Sequence, residues 1–96
     1  MSPNNKKKLA IIRKKLDLLD NRFFQLIKIR TKLVKEVLKL KEFKNEIIDK
    51  KRINQILNNI RKKSYSNKID SKITLKIWKN MIQAYIDFEK RNFKKK

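Results

Sequence analysis

The sequence contains no glycine, no cysteine and no histidine, and its one proline is Pro3. Tight hairpins and phosphate-binding loops depend on glycine at positive φ, so neither is expected. Without cysteine there is no disulfide framework, and without histidine a zinc site is not expected. The same absences exclude Ser-His and Cys-His nucleophilic catalysis. We therefore predict helices joined by short polar loops, with no metal and no cofactor.

Long apolar runs are also missing. No run approaches the roughly 20 residues that span a bilayer, and we find no signal-peptide segment, so we expect a soluble, cytoplasmic protein without membrane contact. The length of 96 residues fits one domain, 1–96, with residues 1–6 and 92–96 as frayed tails. A chain this small buries little core alone, which favours pairing with a second copy.

Negative charge is scarce: 29 Lys and Arg against 9 Asp and Glu give a net charge of +20. Such an excess is typical of nucleic-acid binders. However, lysine outnumbers arginine, the basic residues are spread along the whole chain, and Lys, Asn and Ile together point to A/T-rich codons. We therefore interpret the charge mainly as composition bias on solvated faces. The charge would still attract small anions.

A long helix is predicted first, from Lys6 to about Phe43, with Ser2-Pro3 as its start. Its apolar residues alternate three and four apart, as in a helix packed along its length. Arg30 occupies one position of this seam, where a hydrophobic residue is expected. The apolar seam comprises Leu9, Ile12, Leu16, Leu19, Phe23, Leu26, Leu33, Val37 and Leu40.

Two shorter helices are predicted after a loop at residues 44–48. Asp49 should be the N-cap of a helix from Lys50 to about Lys63, and residues 64–68 read as a polar turn. Asp70 or Ser71 should cap a third helix. Its apolar residues are Ile73, Ile77, Trp78, Met81, Ile82, Tyr85 and Ile86.

Charges on or beside apolar seams are the candidates for chemistry, because an uncompensated buried charge costs several kcal/mol. Arg30 lies on the seam, and it could form an ion pair with Asp17, Asp20 or Glu89 or bind an anionic ligand. Several cations with few carboxylates nearby favour an anionic ligand, a dicarboxylate held by arginine. The other candidate cations are Arg13, Lys41 and Arg52.

Several charged and apolar residues recur in a fixed order along nearly the whole chain, from about Lys8 to Arg91. The elements are Leu9-x-x-x-Arg13, Leu16-x-x-x-Asp20, Leu26-x-x-x-Arg30, Lys41, Asp49-x-x-Arg52 and Ile69-Asp70. Taken together, this pattern resembles the helical (type II) chorismate mutases, apart from about one residue between Lys41 and Asp49. The resemblance implies an all-α fold, with one long, one short and one medium helix in an intertwined six-helix homodimer with shared active sites.

The resemblance also implies an isomerase that converts chorismate, a dicarboxylate, into prephenate in phenylalanine and tyrosine biosynthesis, without nucleophile, metal or general base. Arg30, Arg52 and Arg13 from the partner chain would bind the carboxylates. Lys41 would donate to a carboxylate and to the ether oxygen, and the backbone of Asp49 would meet the substrate hydroxyl. From the sequence alone, Arg13 and Lys41 would read as ordinary solvated cations.

Ile53 departs from the family pattern, because many members carry there a glutamate that hydrogen-bonds the ring hydroxyl. Losing such a bond typically costs about 1–3 kcal/mol. Relatives that cleave isochorismate to salicylate and pyruvate also tend to have an aliphatic residue here. Alternatively, Ile53 simply packs on the apolar face of its helix.

Glu89 is the second departure, because many mutases have a glutamine that donates to the ether oxygen. An ionised carboxylate would repel the negative charge that develops there, so Glu89 should act protonated, with activity rising toward acid pH. Tyr85 replaces a smaller polar residue near the carboxylate site, and we expect it to form a wall or pack in the core.

Three alternatives to a chorismate mutase remain open at the sequence level. An isochorismate pyruvate lyase, or an enzyme that rearranges an amino analogue of chorismate, could use the same scaffold. A catalytically silent, basic helical protein could instead bind nucleic acid, with an affinity that falls steeply with salt. We expect a nucleic-acid partner less than a small dicarboxylate, because the basic residues are mostly lysine and are spread along the whole chain. A purely structural coiled-coil role is expected least, because it leaves the seam arginine unexplained.

Overall fold

The computed structural model describes residues 1–95 and contains three α-helices: α1, Pro3–Leu40; α2, Lys50–Ser66; and α3, Ser71–Asn92. A short 3-10 helix, Lys44–Glu46, lies in the connection between α1 and α2. No strand occurs within these residues. The all-α class and the long, short and medium helices predicted from the sequence are confirmed. Within the same residues, no helix combines the length and apolar character needed to cross a bilayer.

Helix α1 begins three residues before the predicted Lys6. The Ser2 hydroxyl accepts a hydrogen bond from the Asn5 amide at 3.2 Å, and Pro3 takes the first helical position, where its missing N–H costs nothing. The helix ends at Leu40 rather than near Phe43, because the backbone at Phe43 is extended. Fraying at residues 1–6 and 92–96 stays a prediction, and Lys96 lies outside the described residues.

The chain forms two compact units, Met1–Leu33 and the part from Val34 onwards. The first unit is the amino-terminal part of α1. None of its residues is buried, and most of its apolar seam is exposed: Leu16 by 51%, Phe23 by 50% and Leu26 by 63%. An apolar seam of this length is expected to pack against other apolar side chains, because its exposure to water is unfavourable.

The second unit centres on the pairing of α2 with α3. Ile47 and Ile86 are its buried apolar residues, and Ser64 and Glu89 are buried polar ones. Half-buried side chains recur every three or four residues on one face of each helix, as packing between two helices requires. These side chains are Ile53, Ile56, Leu57 and Ile60 on α2, and Leu75, Trp78, Met81, Ile82 and Tyr85 on α3.

The turn predicted at residues 64–68 is wrong for its first three residues, because α2 continues to Ser66. Ser64 is only 2% exposed, its hydroxyl donates to the Ile60 carbonyl at 2.6 Å, and it shares a second hydrogen bond with Thr74 at 2.6 Å. Because Ser64 is buried in this way, it stays helical although serine is common in turns. The chain reverses at Lys68, whose φ of 54° is the positive value that glycine usually supplies.

Candidate active site

The candidate site in the second unit is built around an ion pair between Lys41 and Glu89. Lys41 follows the last residue of α1, and Glu89 lies in the last turn of α3. The Lys41 Nζ donates to Glu89 Oε1 at 2.9 Å and to the Ile47 carbonyl at 3.4 Å. These acceptors account for two of the three ammonium N–H groups, so the third can serve a ligand.

Both charged side chains are largely removed from water. The Lys41 side chain is 16% exposed and the Glu89 side chain 8%. Two charges in such a place are tolerated because each compensates the other, and a nearby carbonyl satisfies a further donor. Ile47, which is 3% exposed, fixes that carbonyl by packing its own side chain into the core. The result is a cation held in one position by the fold.

The amino-terminal end of α2 contributes Asp49, Arg52 and Ile53. Asp49 is the N-cap: its Oδ1 accepts from the Arg52 amide at 3.0 Å, as predicted. This bond holds the first turn of α2 in place, and with it the backbone of Arg52, whose side chain is exposed. Ile53 is half-buried on the packed face of α2.

Tyr85 lies four residues before Glu89 on α3, so the two share one face of the helix. It is half-buried, and the wall or core role expected for it stays a prediction. Ile86, the residue after Tyr85, is buried, with an exposure of 7%. The carboxyl-terminal half of α3 thus carries its buried carboxylate among apolar side chains.

Arg13 and Arg30 belong to the first unit. Arg30 is half-buried although the seam residues on either side, Leu26 and Leu33, are more than half exposed. Arg13 is exposed and lines a shallow surface depression with Leu9 and Asp17. The two arginines are 17 positions apart on a continuous helix, about 26 Å along its axis. One small dicarboxylate cannot reach both arginines of the same chain.

Sequence reasoning missed two features of the Lys41 environment. It offered Glu89 as one of three possible partners for Arg30, whereas the structure pairs Glu89 with Lys41. It also gave no role to the loop residue Ile47, whose carbonyl accepts from Lys41. A backbone acceptor leaves no signal in a sequence. Within residues 1–95, no group of three or more Asp, Glu, His or Cys residues could hold a metal ion.

Comparison with known proteins places the chain in a class of enzymes. The family model for type II chorismate mutase matches residues 12–90, a span that includes all eight candidate residues. A curated chorismate mutase from Methanocaldococcus jannaschii is 38% identical over 77 residues, covering 79% of this chain and 78% of the relative. No solved structure matches significantly.

These matches define the class first: an all-α enzyme of the isomerase type. The chain belongs to the type II chorismate mutase family. The resemblance inferred from the order of Arg13, Arg30, Lys41 and Arg52 is thereby confirmed. The roles of these individual residues stay predictions.

Proposed function

We propose that this member of the family rearranges chorismate to prephenate at a site organised by Lys41. Family membership carries the proposal, and both the family model and the archaeal relative support this activity and favour none of the alternatives. The reaction is an intramolecular shift in which one C–O bond breaks and one C–C bond forms. It requires a held conformer and stabilised charge rather than a nucleophile.

Lys41 is suited to stabilise the negative charge that develops on the ether oxygen. Its side chain is 16% exposed, and its ammonium is already oriented by Glu89 and the Ile47 carbonyl, so little reorganisation is needed when charge develops. In the ligand-free protein Glu89 accepts from Lys41.

The substrate carboxylates would be held by arginines. Arg52 projects from the first turn of α2, which Asp49 caps, and Arg30 comes from the α1 seam. Arg13 of the partner subunit would complete the set, because about 26 Å separates Arg13 from Arg30 within one chain. The net charge of +20 would add long-range attraction for a dianion.

We propose a homodimer for the same reason and because the seam of α1 is uncovered. The first unit exposes half or more of Leu16, Phe23, Leu26 and Leu33. A second α1 packed along this seam would remove these side chains from water. A cytoplasmic location stays a prediction.

The first experiment is an assay with chorismate and isochorismate in parallel, following prephenate and salicylate. We expect prephenate, with kcat/KM lowered at least about tenfold in Arg52→Ala, since a charge-assisted contact contributes about 1.5–3 kcal/mol. Arg61→Ala is the matched control, because Arg61 is an exposed arginine on the same helix. Salicylate would assign the lyase reaction, consistent with Ile53, and no product from either substrate would contradict the enzymatic proposal.

Shared active sites are tested by mixing two variants of lowered activity, Arg13→Ala and Arg52→Ala. If each site takes Arg13 from one subunit and Arg52 from the other, a heterodimer contains one intact site. Random exchange then restores about a quarter of the wild-type activity. Sites contained within one chain would give no recovery on mixing.

A further inference from the structure

A cavity of about 340 Å³ lies near the carboxyl-terminal ends of α1 and α3. Its apolar wall is formed by Leu38 of α1, Phe88 of α3 and Phe93, the residue after α3. All three side chains are half-buried. We call this space the C-terminal cavity. None of the eight candidate active-site residues lines it.

The rim of the C-terminal cavity is cationic. Lys35, Lys39, Lys94 and Lys95 line it, and all four are exposed. Among the described lining residues there is no aspartate or glutamate; Asn92 is the remaining polar one. No carboxylate among the described lining residues therefore neutralises the four positive charges around the apolar wall.

The end of α1 would normally weaken anion binding, because the last carbonyls of a helix carry partial negative charge. Here Lys95 Nζ donates to the Lys39 carbonyl at 2.6 Å. This bond neutralises one of the exposed carbonyls and holds the chain after α3 against the end of α1. The cavity is thus closed on one side by its own cationic segment.

We propose that the C-terminal cavity binds a small hydrophobic carboxylate at a site separate from the Lys41–Glu89 site. The volume lies at the lower end of the range for small-molecule sites, which fits one ring rather than a peptide. The ring packs on Leu38, Phe88 and Phe93, and the carboxylate lies among the lysines. Phe88 precedes the catalytic candidate Glu89, but consecutive helical residues point about 100° apart.

The binding test uses the isotope-labelled full-length protein and 3-phenylpropionate, followed by amide chemical shifts. We expect saturable shifts at Leu38, Phe88 and Phe93. The uncharged amide of the same acid should bind more weakly, and acetate should not shift these residues. Shifts centred on Lys41 and Glu89, shifts scattered over surface lysines, or no saturable shift would each overturn the proposal. If a partner subunit filled the cavity, no saturable shift would be observed.

Variants separate the charge contribution from a general loss of basicity. Lys35→Gln and Lys39→Gln should each weaken binding about two- to fivefold, the size of an exposed ionic contact. Lys62→Gln on α2 removes another exposed lysine, one that does not line the cavity, and should have no effect. Phe93→Ala should weaken binding whereas Phe93→Leu should largely restore it. Equal affinities for Lys39→Gln and Lys62→Gln would contradict the proposed site.

The separation from the active site has its own control. Arg52→Ala should leave 3-phenylpropionate binding at the C-terminal cavity unchanged, because Arg52 does not line it. If Arg52→Ala abolishes binding, the carboxylate occupies the candidate active site and the proposal fails. The result is independent of whether the chain converts chorismate.

Discussion

Replacing Glu89 by glutamine tests whether the buried ion pair stabilises the protein. Glutamine keeps the shape of the side chain and a carbonyl acceptor for Lys41, but it removes the negative charge. Lys41 would then keep its ammonium in a place where only 16% of the side chain reaches water. We therefore expect Glu89→Gln to lower the free energy of unfolding.

The magnitude follows from the 2.9 Å separation. Two unit charges at this distance attract by about 6 kcal/mol at an effective dielectric constant of about 20. Desolvation of both ions offsets much of this attraction, so the net effect is smaller. For Glu89→Gln we expect a loss of about 2–3 kcal/mol, because Lys41 keeps its bond to the Ile47 carbonyl.

Lys41→Met should cost more, about 3–5 kcal/mol, because it leaves the Glu89 carboxylate unpaired at 8% exposure. The double variant removes both charges and should lie within about 1 kcal/mol of the wild type. The coupling energy between the two positions is then at least about 4 kcal/mol, because the single losses sum to at least about 5 kcal/mol.

The assay is urea denaturation of all variants at one pH and one protein concentration, since association would make apparent stability depend on concentration. Asp87→Asn is the matched control. It makes the same carboxyl-to-amide change on α3, at an exposed residue that accepts a hydrogen bond from Gln83 at 3.0 Å. Its effect should stay within about 0.5 kcal/mol.

Two results would refute the reasoning. If Glu89→Gln and Asp87→Asn have equal effects, Glu89 contributes no more than a surface carboxylate. If the two single losses simply add in the double variant, Lys41 and Glu89 do not stabilise each other.

Two further predictions concern capping and the α2–α3 turn. Asp49→Ala should lower the free energy of unfolding by about 0.5–2 kcal/mol and raise KM by displacing Arg52, whereas unchanged values in denaturation and kinetics would exclude a capping role. Lys68→Gly should stabilise the protein by up to about 1 kcal/mol, because φ is 54° there, and a lower denaturation midpoint would argue against that strain.

Local rules predicted most of the helical framework. Asp49 and Asp70 cap their helices as expected, because an N-cap depends only on a side chain and the next two or three amides. Ser2 and Pro3 mark the start of α1 for the same local reason. The family was also recognisable from the sequence, since the order of charged residues along the helices survives without any knowledge of their contacts.

The end of α2 was not predictable from composition. Ser64, Tyr65 and Ser66 have the composition of a turn, yet they are helical. The decisive contact is the hydrogen bond between Ser64 and Thr74, ten residues apart and on different helices. Tertiary burial overrode the local preference, as it often does for weak propensities.

The sequence by itself determined three helices, their caps, an apolar seam interrupted by Arg30, and membership of a family of isomerases. Only the tertiary structure decided that Lys41 pairs with Glu89, 48 residues later, and takes a second acceptor from the Ile47 backbone. The physical reason is that helix formation and capping depend on neighbours within about four residues. A buried ion pair instead depends on which helices pack together and how far they exclude water.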